Sequence, residues 1–138
     1  MTLKSIFTVL LLMVCTVAAM AQSENKAKEE LPKLSVAEGK GTYYVMPGRR
    51  TANGDRYEKN EYTCAHRSLP FGTRVKVTNQ KNGKEVVVRV NDRGPFGKGF
   101  VIDLSYIAAD AIGILRMGTV PVHLEVVPKD TPLGPVGQ

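Results

Sequence analysis

The chain has 138 residues, of which 43% are hydrophobic and 23% charged, so it has the composition of a globular protein and room for one ordinary domain. Nineteen Lys and Arg residues against 13 Asp and Glu give a formal charge of +6. An excess of positive charge suits an anionic partner such as cell wall, anionic lipid or polysaccharide, although solubility alone would also explain it.

The N-terminus has the three parts of an export signal. Met1–Lys4 is a short basic start, Ile6–Ala19 is an apolar run, and Ala19-Met20-Ala21 has the small-x-small pattern of a cleavage site. We therefore predict a signal peptide over residues 1–21. The alternative is an uncleaved anchor, but the apolar run is shorter than the ~20 residues that a membrane span needs. The predicted location is the periplasm or the cell wall, which makes nucleic acid an improbable partner.

The two cysteines argue against a disulfide and against lipidation. Cys15 lies in the predicted signal, and the preceding Met13-Val14 is a poor lipidation sequence. Cys64 is then alone in the exported chain and is expected to be a small buried hydrophobe. One cysteine and two widely spaced histidines do not form a zinc-site pattern, and no cofactor motif is present, so we expect neither a metal nor a cofactor.

Residues 22–38 are rich in Lys and Glu and are predicted to be a flexible tether. Residues 129–138 contain Pro and Gly and are predicted to be a loose tail. The folded domain is expected over residues 39–128.

That domain is predicted to consist mainly of strands. The expected strands are 41–45, 74–78, 85–90, 100–104 and 120–127, with Asn82-Gly83 as a hairpin turn between the second and third. Pro121 is expected to place the start of the last strand at a sheet edge. One helix is predicted over 106–112, capped by Ser105 and ended by Gly113. Short strands with a short helix indicate a small closed β-barrel.

Three polar segments, 51–58, 63–66 and 90–96, carry more functional groups than folding requires. Asp92 directly follows an apolar strand, where desolvation raises a carboxyl pKa and suits it to act as a general acid. The alternative is a simple turn-former in Asn-Asp-x-Gly. Asp55 lies in an ordinary Asn-Gly-Asp turn, and Asp103 is expected to cap the following helix.

The two histidines differ in their predicted roles. His66 could donate to a sugar hydroxyl or orient a carboxylate, although a lone histidine is more often structural. His123 alternates with apolar neighbours in the last predicted strand, so it is expected to point outward and has no assigned role.

Together the segments resemble the rare lipoprotein A (RlpA) family of bacterial wall proteins. The resemblance rests on the order and spacing of short motifs over about 39–128, of which two are the most specific: Asn91-Asp92-Arg93-Gly94-Pro95-Phe96 and Ile102-Asp103-Leu104-Ser105. It implies a double-psi β-barrel of about six strands with one or two short helices. It also implies peptidoglycan as the partner and lytic transglycosylase activity, which cuts the MurNAc–GlcNAc bond and leaves a 1,6-anhydro end.

The resemblance also assigns site residues. Asp92 matches the acid/base of the family and His66 a required polar residue. The expected substrate-binding residues are Asn53, Tyr57, Arg93 and Phe96.

Asp55 stands where the family usually carries Glu, and Glu58 where it often carries Asp, so the two acids appear exchanged. Loss of one methylene shortens the reach of Asp55 by about 1.5 Å. Three interpretations follow: a shifted loop tolerates the shorter acid, Glu58 replaces it, or the site is impaired and the protein only binds the wall.

Two other functions compete with the enzyme. One is an expansin-like binding module, in which the aromatic side chains Tyr43, Tyr44, Tyr57 and Phe96 stack on sugar rings. The other is an interaction protein such as an inhibitor or scaffold, with Arg49-Arg50 near the groove. A monomer is expected in each case.

Overall fold

The computed structural model describes residues 37–137 and consists of seven strands and two short helices. In chain order these are β1 (Ala37–Tyr43), β2 (Thr63–Ala65), β3 (Arg74–Asn79), β4 (Glu85–Asp92), β5 (Phe100–Leu104), α1 (Tyr106–Ala111), α2 (Ile114–Met117), β6 (Val120–Val127) and β7 (Gly134–Pro135). The predicted signal peptide and nearly all of the predicted tether lie outside the described residues.

Six strands close into a mixed barrel in the order β2-β5-β1-β6-β3-β4, with β4 pairing back to β2. The pairs β1–β5 and β2–β4 are parallel, and the other four pairs around the barrel are antiparallel. The predicted six-stranded double-psi β-barrel is therefore confirmed. Because the six strands close on themselves, each of them has a neighbouring strand on both sides.

The barrel core is made mainly of branched aliphatic side chains from β3, β4, β5 and β6, to which β2 adds Cys64 and the helical region adds alanine and isoleucine side chains. Strand β3 shows the alternation that its sequence predicts, with Val75 and Val77 fully buried between half-exposed neighbours. Val86–Val88 are all buried, as the continuous apolar run predicted. Cys64 is 0% exposed and packs in this core as a small hydrophobe, which confirms the prediction.

The predicted turn between β3 and β4 is present. Gly83 has φ +74°, which only glycine adopts without strain, and its N–H donates to the carbonyl of Asn79 at 2.8 Å. The Asn79 side chain is itself buried and donates to the carbonyl of Ile112 at 2.7 Å, so the turn is tied to the end of the helical region.

Two strand predictions were wrong in detail. The first strand was predicted over 41–45, but β1 runs from Ala37 to Tyr43 and so begins within the predicted tether 22–38. Strand β2 was not predicted, since three residues are too few to show a period.

Pro121 was expected to place the start of the last strand at a sheet edge. It pairs with Lys40 of β1, whereas the pairing of β6 with β3 begins only at Val122, so the β3 side of Pro121 lies outside that ladder. On the β3 side, the carbonyl of Pro121 accepts from Gln80 N at 3.0 Å, just beyond the end of β3. The nitrogen of Pro121 faces the same side, where no strand needs a donor.

The predicted helix is present but is not capped as expected. Ser105 occupies the N-cap position of α1 without a side-chain cap bond; its hydroxyl donates instead to the carbonyl of Glu61 at 2.7 Å. Asp103 does not cap the helix either, since it is a β5 residue paired with Ala65 of β2. Gly113 follows α1 in the left-handed conformation and leads into α2.

The predicted loose tail contains a paired segment. Gly134–Pro135 form β7 against Val86 and Val87 of β4, on the side of β4 that β2 leaves uncovered. Val136 N then donates to the carbonyl of Glu85 at 3.0 Å. The tail is held by backbone hydrogen bonds to β4, a distant segment, and the tail's own sequence does not reveal this pairing. Within residues 37–137, no helix has the length and apolar character to cross a membrane.

Candidate active site

A β-bulge at the end of β4 sets the direction of Asp92. Cys64 of β2 pairs with Val90, but the next residue, Ala65, pairs with Asp92, so Asn91 is the inserted residue. Without the bulge Asp92 would share the core face of Val90. The bulge moves its side chain to the outer face, in register with Ala65.

The carboxylate of Asp92 is fixed by the backbone. Its Oδ1 accepts from Ala52 N at 2.9 Å and from Arg93 N at 2.8 Å. These two donors come from the 51–55 loop and from the turn after β4. One carboxylate oxygen is thus held by two N–H groups.

Asp103 is a second carboxylate beside Asp92, and the sequence analysis did not assign it to the site. Ala65 pairs with Asp92 on one side and with Asp103 on the other, so the two acids lie on the same face with one strand between them. Burial raises the pKa of Asp103, and the charge of Asp92 raises it further. Asp103 therefore holds its proton to higher pH than an ordinary carboxyl does.

Tyr44 is a third member of the site, which the sequence analysis considered only as a stacking aromatic of the binding-module alternative. Its hydroxyl is buried and forms no hydrogen bond of good geometry within the described residues. Burial raises the Tyr44 pKa, and the neighbouring Asp92 charge is the next largest cause. The phenol is thus a neutral donor next to Asp92. Its ring packs on Tyr57 with centroids 5.3 Å apart.

His66 is held in one tautomer. Its Nδ1 accepts from Ser68 N at 3.2 Å and from Leu69 N at 3.1 Å, which places the proton on Nε2. Burial lowers the His66 pKa, and the charges of Arg93 and Arg67 lower it further, so the ring is neutral near pH 7. The backbone of His66 is bonded to Asp92, its N–H donating to the Asp92 carbonyl at 3.2 Å. A neutral imidazole with Nε2–H is a hydrogen-bond donor to a neighbouring oxygen.

Asp55 is engaged within the protein. Its Oδ2 accepts from Arg89 Nη1 at 3.1 Å and from Asn53 Nδ2 at 3.1 Å. These hydrogen bonds, the one from Asn53 first, lower the Asp55 pKa and keep it ionised. Glu58 is exposed and lines a surface cavity with Arg56 and Lys59, and no contact of the described residues joins it to Asp92.

Two of the predicted substrate-binding residues are occupied internally. Tyr57 is 4% exposed; its hydroxyl donates to the Tyr44 carbonyl at 2.8 Å and accepts from Tyr106 N at 3.3 Å. Tyr57 is therefore a support for Tyr44 and leaves no face for a sugar. Asn53 uses both side-chain atoms within the 51–55 loop.

Of the other two predicted substrate-binding residues, Arg93 is bonded within the protein, whereas Phe96 is exposed. Arg93 Nη1 donates to the carbonyls of His66 at 3.2 Å and Leu69 at 2.9 Å, and its guanidinium lies 3.9 Å from the ring centroid of Phe71. Arg93 thus ties the turn after β4 to the 66–71 loop beside Asp92. Phe96 is 80% exposed and is free to stack on a ligand.

Metal ligands do not gather at this site. Among residues 37–137, no group of three or more His, Cys, Asp or Glu side chains is placed to hold an ion. His123 lies on β6 with its ring outward, where Nδ1 is 3.4 Å from Glu38 Oε1.

Comparison with known proteins gives the family. A family model described as "Lytic transglycolase" matches residues 36–124, more than half of the chain. The Vibrio cholerae protein named endolytic peptidoglycan transglycosylase RlpA is 48% identical over 106 residues, covering 75% of this chain and 40% of that protein. The chain belongs to the RlpA-like double-psi β-barrel family.

A second RlpA relative is more similar over a shorter stretch. The Synechocystis protein named probable endolytic peptidoglycan transglycosylase RlpA is 65% identical over 80 residues, which are 58% of this chain and 25% of that protein. The chain therefore spans less than half the length of either RlpA relative.

Among solved structures, the RlpA-like barrel is similar to the Streptomyces papain inhibitor. The TM-score is 0.58 and the sequence identity 25%, with 70% of this chain and 98% of the inhibitor covered. The same barrel thus occurs in a protein named for inhibition.

Proposed function

We propose that the protein is an endolytic peptidoglycan lytic transglycosylase that acts in cell wall remodelling. The observation that carries the proposal is the pair Asp92 and Asp103, two carboxylates on one face of an RlpA-like barrel with one strand between them. Environments that separate the protonation of two neighbouring carboxyls provide an acid and a base at one site.

The reaction needs one proton donated and one removed. The C6 hydroxyl of MurNAc attacks C1, the glycosidic bond breaks, and the GlcNAc oxygen leaves. Asp103, whose pKa is raised by burial and by Asp92, donates the proton to the leaving oxygen. Asp92 accepts the proton of the C6 hydroxyl, and the ring closes to the 1,6-anhydro form. Because the nucleophile is internal, the pair needs no space for an attacking water.

Neighbouring side chains provide polar and aromatic contacts. The neutral His66 ring offers Nε2–H to a sugar oxygen or to a site carboxylate. Phe96 supplies an exposed face for a sugar ring at the adjoining loop. No metal or cofactor takes part in the proposed reaction.

The substrate places the protein outside the cytoplasm. Export through the predicted signal peptide 1–21, without lipidation, would deliver it as a monomer to the periplasm or the cell wall. The partner is the glycan strand, whose anionic groups suit the basic chain.

A digest of purified glycan strands, with and without stem peptides, tests the proposal. Mass spectrometry is expected to detect 1,6-anhydro-MurNAc ends with the native protein and none with Asp92→Asn, whose fold is checked by circular dichroism. Sacculus binding without products would favour the expansin-like wall-binding module. A lack of both binding and products would favour an interaction protein, and inhibition of papain would be measured next, because a solved structure with this barrel bears that name.

A further inference from the structure

We propose that Asp55 and Arg89 are a pair of positioning residues, which hold the 51–55 loop so that the Ala52 N–H stays on the carboxylate of Asp92. The inference concerns the site of the proposed function. It assigns Asp55 a role inside the protein and adds Arg89, to which the sequence analysis gave none.

The first link is an ion pair. Arg89 Nη1 and Asp55 Oδ2 are 3.1 Å apart, and the two side chains are 29% and 41% exposed. The same oxygen accepts from Asn53 Nδ2 at 3.1 Å. One carboxylate oxygen of Asp55 thus joins a β4 side chain to the loop.

The second link is internal to the loop. Asn53 Oδ1 accepts from Asp55 N at 3.0 Å and from Thr51 Oγ1 at 2.7 Å, and Thr51 N donates to the Asp55 carbonyl at 2.8 Å. Gly54 occupies φ +92°, which allows this tight turn. The Thr51–Asp55 segment is therefore a closed turn that Asp55 connects to Arg89 as one unit.

The third link returns to the end of β4. Asn53 N donates to the Asn91 carbonyl at 3.2 Å, and Ala52 N donates to Asp92 Oδ1 at 2.9 Å. Arg89 precedes Asp92 by three residues on the same strand. The contacts thus run from β4 through Arg89, Asp55 and the loop back to Asp92.

This chain of contacts explains how Asp, one methylene shorter than the usual Glu of the family, serves at position 55. With its carboxylate bonded to Arg89 and Asn53, Asp55 acts on the reaction through the loop and needs no reach to the sugar. Loss of either charge would free the turn and leave Asp92 Oδ1 with one backbone donor, that of Arg93.

Amide hydrogen exchange of Ala52 is the direct test, measured by NMR on the purified protein. In Asp55→Asn and in Arg89→Gln, exchange at Ala52 is expected to be at least ~10-fold faster, because the hydrogen bond opens locally. Arg89→Lys keeps the charge and is expected to restore part of the protection. Lys76→Gln is the matched control: it breaks an ion pair with Glu85 and Glu125 elsewhere on the barrel and should leave Ala52 unchanged.

Kinetics on glycan strands provide the second readout. Both loop variants are expected to lose about 100-fold in kcat with KM within about threefold of the native value, since misplacing a reacting group by ~1 Å costs on that order. Unchanged exchange at Ala52, or a raised KM with kcat intact, would overturn the inference. If the native protein cleaves no glycan, the exchange experiment still decides the positioning role, so that failure would count against the proposed function alone.

Discussion

Asp92 and Asp103 face the same side of the barrel wall, each paired in register with Ala65 of the short strand between them. The arrangement depends on two features of different origin. Asp103 reaches its position by plain alternation along β5, where Leu104 faces the core. Asp92 reaches it only through the bulge at Asn91, without which it would face inward. An inserted residue in β4 is thus what makes the two carboxylates neighbours.

Asp103→Asn is the first prediction. Because the amide cannot donate the proton that the leaving oxygen needs, turnover should fall by about 10²- to 10⁴-fold. The rate of formation of 1,6-anhydro ends measures the loss. Asp110→Asn, an exposed change on α1, is the control and should have native activity. Native turnover by Asp103→Asn would mean that Asp92 performs both proton transfers alone.

The pH dependence of stability is the second prediction. Burial and the charge of Asp92 raise the pKa of Asp103 above its ordinary value of 3.8, so the folded state binds more protons than the unfolded state above that value. The contribution of Asp103 to the free energy of unfolding should therefore fall as pH rises from about 3.8 through its raised pKa.

Urea unfolding across this range compares the native protein with Asp103→Asn. Over the same interval the free energy of unfolding of the native protein should fall relative to that of the variant, since the Asn side chain does not titrate. Identical slopes in the two proteins would contradict the assigned environment of Asp103.

Tyr44→Phe is the third prediction. The Tyr44 hydroxyl is buried and forms no hydrogen bond of good geometry within residues 37–137, so its removal should leave stability unchanged or raise it by about 1 kcal/mol. Turnover should nevertheless fall by about tenfold, because Asp92 loses the neutral donor beside it. Thermal unfolding and anhydro-end formation give the two values. Tyr43→Phe, at a residue 37% exposed, is the matched control. Clear destabilisation by Tyr44→Phe would show that the hydroxyl is bonded in solution.

The sequence was informative where a local pattern determines the structure. The alternation Arg74–Thr78, the Asn82-Gly83 turn and the bounds of β5 and β6 were all readable, because side-chain period and turn chemistry act over a few residues. The closed six-stranded barrel came from the family resemblance, since strand order depends on contacts between distant segments.

The site was less readable for the same reason. Asp103 was interpreted as a helix cap because Ser105 and the helix are its neighbours in sequence, whereas its pairing with Ala65 spans 38 positions in the chain. The Arg89–Asp55 ion pair joins residues 34 apart. The best available signals were the specificity of the Ile-Asp-Leu-Ser motif for Asp103 and, for Arg89, a charge inside an apolar strand.

Removal of residues 129–138 is the fourth prediction. Strand β7 covers Val86 and Val87 on the side of β4 that β2, which starts opposite Arg89, does not reach, and Thr131 accepts a hydrogen bond from the Arg74 guanidinium. Truncation would leave this part of β4 as an open edge without its backbone partners. The free energy of unfolding should fall by about 2 kcal/mol, given two or three lost hydrogen bonds at about 1 kcal/mol each.

Urea unfolding measures this loss, with removal of residues 137 and 138 alone as the control. The kcat on glycan strands should change little, because β7 pairs near the start of β4 whereas Asp92 is its last residue. An unchanged urea midpoint would mean that water satisfies this edge of β4 as well as β7 does. A large loss of kcat with intact stability would instead connect the tail to the site.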